Sequence, residues 1–148
     1  MIRTENIVKA LIGEIKTIYP YNIYIGNLEE SANYPCFLIY LGLENARVFD
    51  TELNRKTLTI DIVYFNSNKV KDANDYIEKV KVKDNLEEKL LNKSHLAVSG
   101  KNIKFNYDIG NADELLNITL KLIYFNEIIK ESIDYELIQE IIYNNKDS

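Results

Sequence analysis

The chain has 148 residues, a formal net charge of −5, 46% apolar residues, one cysteine and one histidine. This length predicts a single domain with its own core. A single cysteine excludes an intramolecular disulfide. One cysteine and one histidine are also too few for a zinc site built on those ligands. The basic residues are scattered along the sequence, which argues against stable nucleic-acid binding, because phosphate contacts need a basic stripe.

The N-terminal stretch is predicted to form an amphipathic helix. Thr4 is a suitable N-cap, and Pro20 ends the helical pattern. Seven apolar residues recur at three- and four-residue spacing: Ile7, Val8, Leu11, Ile12, Ile15, Ile18 and Tyr19. Their burial would stabilise the fold by on the order of 10 kcal/mol, at roughly 1.5–3 kcal/mol each, so the helix should pack on a sheet.

Three segments follow the first helix. Asn22 to Gly26 is predicted to be a short strand, and Cys36 to Leu43 a second one. Both faces of the second strand are apolar, so it is covered either on both sides within the domain or on one side by a neighbouring subunit. Glu44 to Asn54 is too long for a tight hairpin and too charged to be buried, and it reads as an extended β-arm or a loop.

The strongest strand pattern lies in Lys56 to Asn66, where apolar and polar residues alternate. Its apolar face carries Leu58, Ile60, Ile62 and Tyr64. The sequence TIDIVYFN at its end is echoed by TLKLIYFN at Thr119 to Asn126, with Lys121 in place of Asp61. Matching inward residues and opposite outward charges predict that these are the two central, neighbouring strands of one sheet.

The middle of the chain is predicted to be helical, with Asp72 or Asn74 as the N-cap. The helical spacing breaks at Lys81 to Asn85 and resumes up to about Lys93, which indicates one kinked helix or two short ones. Its first apolar face would consist of Ala73, Tyr76, Ile77 and Val80.

The last part of the chain is predicted to contain three strands and a helix. The strands are His95 to Val98, Ile103 to Ile109 and Leu115 to Asn126, with turn residues after the first and second. Ser132 is a suitable cap for a C-terminal amphipathic helix bearing Ile133, Leu137, Ile138, Ile141 and Ile142.

The element order α-β-β-β-α-β-β-β-α predicts an α+β fold. We expect a mostly antiparallel sheet of about five to six strands, flanked by the N-terminal and middle helices, with an additional C-terminal amphipathic helix. Residues 1–130 would form the domain, and residues 131–148 would pack on that domain or on a neighbouring subunit.

No residue pattern indicates a catalytic, cofactor-binding or metal site. His95 lies at a strand start without a paired nucleophile or acid, and Cys36 lies in an apolar strand, where a small core residue is expected. The strand Ile103 to Ile109 and the first short strand are candidate sheet edges open to another subunit. The candidate interface residues are Asn22, Ile23, Tyr24, Ile25, Leu137, Ile138, Ile141 and Ile142.

Several local features of the chain occur together in one known family. They are the helix that ends in Ile18-Tyr19-Pro20, the strand Ile23 to Gly26, the strand entry Pro35 to Ile39 and the strand Arg55 to Asn66, which ends in Tyr64-Phe65-Asn66. With these features, residues 4–126 resemble the tail terminator family of bacteriophages, in particular the small proteins of contractile-tailed prophages and R-type bacteriocins. The segment beyond Asn126 has no match in that pattern.

This resemblance implies a structural protein rather than an enzyme. Members of the family form a ring, usually hexameric, that caps the tail tube, ends its polymerisation and offers a surface to the head or collar. The implied partners are further copies of the chain, the tube and sheath proteins and a head–tail connector, without a cofactor, membrane or stable nucleic-acid contact. The protein is expected in the bacterial cytoplasm during assembly and then in the particle.

Two alternatives stay open. One is a non-enzymatic small-ligand-binding or regulatory module, and the other is a different head–tail joining or tail completion protein.

Overall fold

The computed structural model describes residues 2–48, 53–66, 73–112 and 115–127. They form one six-stranded sheet in the order β1-β2-β3-β6-β5-β4, with β1 parallel to β2 and every other neighbouring pair antiparallel. The predicted α+β fold is confirmed, and the predicted C-terminal helix lies outside the described residues. The elements are α1 (Thr4–Ile18), β1 (Asn22–Ile25), β2 (Cys36–Val48), β3 (Leu53–Phe65), α2 (Ala73–Lys89), a 3₁₀ turn (Leu91–Lys93), β4 (His95–Val98), β5 (Lys101–Ala112) and β6 (Leu115–Glu127).

The two strands with the repeated sequence are the central pair, as predicted. β3 and β6 are paired from Leu53↔Glu127 to Tyr64↔Leu116. Their inward residues face each other, with Ile60 opposite Leu120, and these side chains are buried. The antiparallel register places the outward Asp61 opposite Thr119 rather than Lys121, and the Thr119 hydroxyl donates a 2.6 Å hydrogen bond to the Asp61 carboxylate.

Helix α1 lies on the inward face of the sheet and contributes Ile7, Leu11 and Ile15 to the core, all fully buried. The predicted N-cap is wrong: Arg3 is the cap residue, and the Thr4 hydroxyl donates instead to the Glu44 carboxylate on β2, at 3.2 Å. The preference of threonine for a cap position is therefore overridden by a contact with the sheet.

The start of α1 is fixed to the sheet by a buried amide. Asn126 on β6 accepts a hydrogen bond from the backbone N–H of Ile2 and donates one to the Ile2 carbonyl, both at 3.0 Å. A buried backbone group without a partner is costly, so this pair of bonds holds the chain entry against the end of β6.

Helix α2 differs from its prediction in two respects. Its described part is one continuous α-helix from Ala73, so Asn74 is inside it and no break occurs at positions 81–85. The interruption comes at Leu90, before the 3₁₀ turn, where φ is −127°. The other candidate cap, Asp72, lies outside the described residues.

The face that α2 buries is also not the predicted one. The buried residues are Asp75, Val82 and Leu86, whereas Tyr76 and Ile77 are 64% and 50% exposed. Burial of Asp75 is possible because its carboxylate accepts from the Asn66 side chain at the end of β3 and forms a 3.1 Å ion pair with Lys79.

An aromatic contact holds α2 against the sheet near the end of β3. The buried Tyr64 packs on Phe37, with ring centroids 5.3 Å apart, and its hydroxyl donates a 2.6 Å hydrogen bond to the Glu78 carboxylate. Burial of the ring, together with this carboxylate, raises the pKa of Tyr64 well above its ordinary value.

In its described residues, 44–48 and 53–54, the segment predicted as a β-arm or loop is β-strand. β2 continues to pair with β3 as far as Val48↔Asn54, with one extra residue on β2 between Leu41 and Glu44. This β-bulge is held by Thr59, whose hydroxyl accepts from the Leu43 N–H at 2.6 Å, and a Cβ at Gly42 would collide with that hydroxyl.

Besides the terminal strands β1 and β4, two stretches of strand keep an open outer edge in the described part of the chain. β1 pairs only with Cys36–Ile39 of β2, so the outer edge from Tyr40 to Val48 has no strand beside it. At the other side, β4 pairs with β5 only over Lys101–Lys104, which leaves residues 106–112 at an edge. The expected edge in the strand Ile103 to Ile109 is thus present in its second half.

Candidate interaction surface

The residues weighed as nucleophile and base lie in unremarkable surroundings. Cys36 is fully buried in the core, and burial raises the pKa of its thiol, which disfavours the reactive thiolate. His95 is exposed at the start of β4, where it pairs with Lys104 of β5, and its Nδ1 lies 3.2 Å from the Lys93 carbonyl oxygen. Within residues 2–48, 53–66, 73–112 and 115–127, no three His, Cys, Asp or Glu residues form a group that would hold a metal ion.

A concave surface on the outward side of the sheet is the most distinctive feature of the described residues. Both helices pack on the inward side, so the outward residues of β2, β3 and β6 surround an open hollow of about 340 Å³. We call this surface the cationic face. It is lined by Leu43, Asn45, Arg47, Arg55, Thr57, Thr59 and Lys121.

The positive charges on this face are close together. Arg47 on the β-arm lies directly opposite Arg55 on β3, and Lys121 on β6 lies opposite Thr59 on the other side of β3. Like charges at directly opposite positions destabilise a sheet, so the Arg47–Arg55 pair is unfavourable for folding. None of the three cations forms an ion pair with a carboxylate in the part of the chain that the structure describes.

The cationic face is suited to an anionic partner with some apolar surface. Beside the charges, Leu43 is 69% exposed and the aliphatic stems of the arginines add further apolar area. The Asn45 and Thr57 side chains, which also line the hollow, offer hydrogen-bond donors and acceptors.

The sequence did not reveal this cluster. Arg47 and Arg55 are separated by the arm, and Lys121 lies on a strand far along the chain, so the basic residues read as scattered. Only the strand register brings them together. A signal was present, since Arg47 lies within the predicted β-arm and Arg55 directly after it, and a hairpin here would set them opposite each other.

The predicted interface residues of β1 lie at a sheet edge, as expected. Ile25 is 61% exposed, and Asn22 is exposed as well. Ile23 packs against the core, and the Tyr24 hydroxyl accepts a 2.9 Å hydrogen bond from the backbone N–H of Asn33, so these two are partly used within the domain. The other four predicted residues, Leu137, Ile138, Ile141 and Ile142, lie outside the described residues.

A second exposed surface lies on α2. Tyr76, Ile77 and Val80 form a short apolar stripe on the outward side of the helix, which we call the α2 stripe. Contiguous exposed apolar residues of this kind are typical of protein-contact sites. Their helical spacing predicted an apolar face of the helix, and the structure leaves that face exposed.

Comparison with known proteins assigns the family. The sequence profile described as phage tail terminator protein matches residues 6–135, which is most of the chain. The protein therefore belongs to the phage tail terminator family. Such proteins are structural components of the phage tail, so the protein is associated with the virion and interacts with other tail components.

Other comparisons are distant. No curated protein matches the chain significantly. One solved structure is 10% identical, with 84% of this chain and 98% of that chain covered and a TM-score of 0.40. Among the described helices, none combines the length and apolar character needed to span a membrane.

Proposed function

We propose that this protein closes into a ring, with six copies as the expected number, that caps the last ring of the tail tube and ends its polymerisation. The observation that carries the proposal is the family match over residues 6–135. In this role the opposite surface of the ring receives the collar, or the head connector in a complete phage, and no catalytic step is involved.

The described surfaces support such an assembly. A ring of identical subunits with head-to-tail contacts needs two different, mutually complementary patches on each subunit. The open outer edge of β2 and the open half of β5 lie at opposite sides of the sheet, which is the arrangement that head-to-tail contacts require. The edge strand Asn22–Ile25, the C-terminal residues Leu137, Ile138, Ile141 and Ile142, and the α2 stripe are further candidate contacts.

The tube protein and the sheath protein of a contractile tail are the proposed partners beside further copies of the chain. We place the assembly step in the bacterial host cytoplasm, in a prophage or an R-type bacteriocin. Because the chain is acidic overall, a ring that DNA traverses would not retain it by charge attraction.

The proposal is tested by the mass of the purified protein in light scattering and by negative-stain images with tail tubes added. We expect a closed ring, or monomers that become rings on tube ends. A stable monomer or dimer that ignores tubes would contradict the proposal and would favour the small-ligand-binding or regulatory alternative.

A variant of an exposed edge residue sharpens this test. Ile25→Lys should lower the fraction of rings, because Ile25 is exposed and offers apolar area at the β1 edge, while the fold should change little. Ser31→Lys in the exposed loop before β2 is the matched control and should assemble like the wild type. Equal assembly of both variants would remove Ile25 from the interface.

A further inference from the structure

We propose that the cationic face of one subunit is the docking site for the C-terminal segment, residues 128–148, of the neighbouring copy. This inference rests on the proposed function, since the contact would link adjacent subunits of the ring. The arguments are the charge of the segment, the point at which it leaves the fold and its apolar pattern.

The charges of the two surfaces are complementary. The segment contains two lysines and five acidic residues, hence a net charge of −3 within a chain of −5. The cationic face offers Arg47, Arg55 and Lys121 without a carboxylate partner among the described residues. An acidic segment placed there would relieve the repulsion between the opposed arginines and gain charge-assisted hydrogen bonds.

The segment also begins at the correct end of the molecule. β6 ends at Glu127, which pairs with Leu53, and two residues earlier Phe125 lies opposite Arg55. The arginine pair and the start of the segment are thus at the same end of the sheet. β6 runs toward this end, so the segment starts close to an arginine pair of the kind that it would contact on a neighbouring copy.

The sequence of the segment matches the chemistry of the hollow. Ile133, Leu137, Ile138 and Ile141 recur at helical spacing, with Glu136 and Glu140 between them. An amphipathic segment of this type binds a groove that combines apolar and charged groups, and the cationic face presents the exposed Leu43 beside the arginines. Each chain would then carry both the segment and the cationic face, which are the two different patches that a head-to-tail ring needs.

Disulfide trapping distinguishes the possible arrangements. In a Cys36→Ser background, one protein carries Asn45→Cys on the cationic face and a second carries Ile138→Cys in the segment. When the two are mixed, assembled with tail tubes where needed and oxidised, we expect a disulfide-linked heterodimer, which only a contact between chains produces. Ile77→Cys on the α2 stripe is the matched control and should not link to Ile138→Cys.

Charge reversal provides an independent readout. Arg47→Glu combined with Arg55→Glu should raise the protein concentration needed for assembly at least tenfold, and the wild-type assembly should weaken with salt. Glu136→Lys combined with Glu140→Lys, added to the same chain, should restore assembly. A merely structural role of the arginines would not give this rescue.

Several results would overturn the inference. Rings without the heterodimer, or linkage of the segment to Ile77→Cys, would show that the segment docks elsewhere while the ring proposal stands. A chain with both Asn45→Cys and Ile138→Cys that links only within itself would show docking on its own face. Retention of duplex DNA by the wild type, lost on arginine reversal while rings persist, would make the face a nucleic-acid surface. Absence of rings from wild-type images would instead contradict the proposed function.

Discussion

The two faces of the central sheet are made from the same strands and differ in almost every physical property. On the inward face, Ile60 and Leu120 are buried under the helices. One residue away on the outward face, Thr59 and Lys121 border an open hollow. Burial of apolar side chains explains the residues of the inward face. The outward face instead brings together like charges, which do not stabilise the fold. The comparison therefore separates residues that folding requires from charges that our proposal assigns to contact between copies of the chain.

The largest effect in this comparison is expected in the core. Ile60→Ala should lower the free energy of unfolding by about 2–5 kcal/mol, because it leaves a cavity between the sheet and the helices. Urea unfolding followed by circular dichroism measures the change. Thr57→Ala, on the outward face of the same strand, should stay within about 0.5 kcal/mol of the wild type. Equal losses would contradict the assignment of the two faces.

A buried polar contact should be nearly as important as a core side chain. Asn126→Ala removes both hydrogen bonds to the Ile2 backbone and should destabilise the protein by about 3 kcal/mol, since two buried groups lose their partner. Hydrogen exchange at the start of α1 should accelerate. Asn45→Ala on the cationic face is the control, and a similar loss there would show that the outward face is also structural.

The third prediction concerns pH. Tyr64→Phe should cost about 2 kcal/mol at neutral pH through loss of the hydrogen bond to Glu78. Above about pH 10, the ordinary tyrosine pKa, the unfolded chain releases the Tyr64 proton while the folded protein keeps it, because the folded pKa is raised. Wild-type stability should therefore fall with rising pH in that range.

The phenylalanine variant lacks this contribution, so its stability should fall less steeply than that of the wild type between pH 9.5 and about pH 11. Urea unfolding at several pH values measures both slopes. Parallel slopes would show that Tyr64 keeps an ordinary pKa in the fold.

The smallest effect is expected on the cationic face and has the opposite sign. Arg47→Gln should stabilise the isolated subunit by up to about 0.5 kcal/mol, because it removes the repulsion with Arg55, and the gain should vanish in high salt. Assembly should weaken in the same variant. Arg3→Gln, an exposed change outside the sheet, tests whether removal of any arginine has this effect. A loss of stability in Arg47→Gln would mean that the arginine has a partner in the fold.

The parts of the fold that were predicted correctly depend on patterns within single elements. Alternation in Lys56 to Asn66 identified β3 and its buried residues, and the echo in β6 identified its neighbour. Helical spacing before Pro20 identified α1 in the same way. Each of these patterns has one apolar face, so it leaves only one choice of buried side.

The errors arose where polar contacts or pairing between elements, rather than the apolar pattern of one element, decide the outcome. In α2 the apolar Tyr76 and Ile77 suggested one face, but Asp75 is buried because Asn66 and Lys79 satisfy its carboxylate. The cationic face was not predicted for the same reason. It exists only through the pairing of β2 with β3 and of β3 with β6, which spacing along the sequence does not specify.

The bulge at Gly42 and Leu43 determines more than the local twist of β2. Side chains of a strand alternate between faces, so one inserted residue reverses the parity of every position that follows. If the same sequence paired without the bulge, the uninterrupted count from Leu41 would turn Arg47 toward the helices and Glu44 toward the outward face. The sign of the charge that the arm displays on the outward face therefore depends on the bulge, which absorbs one residue and keeps Arg47 on that face and Glu44 on the other.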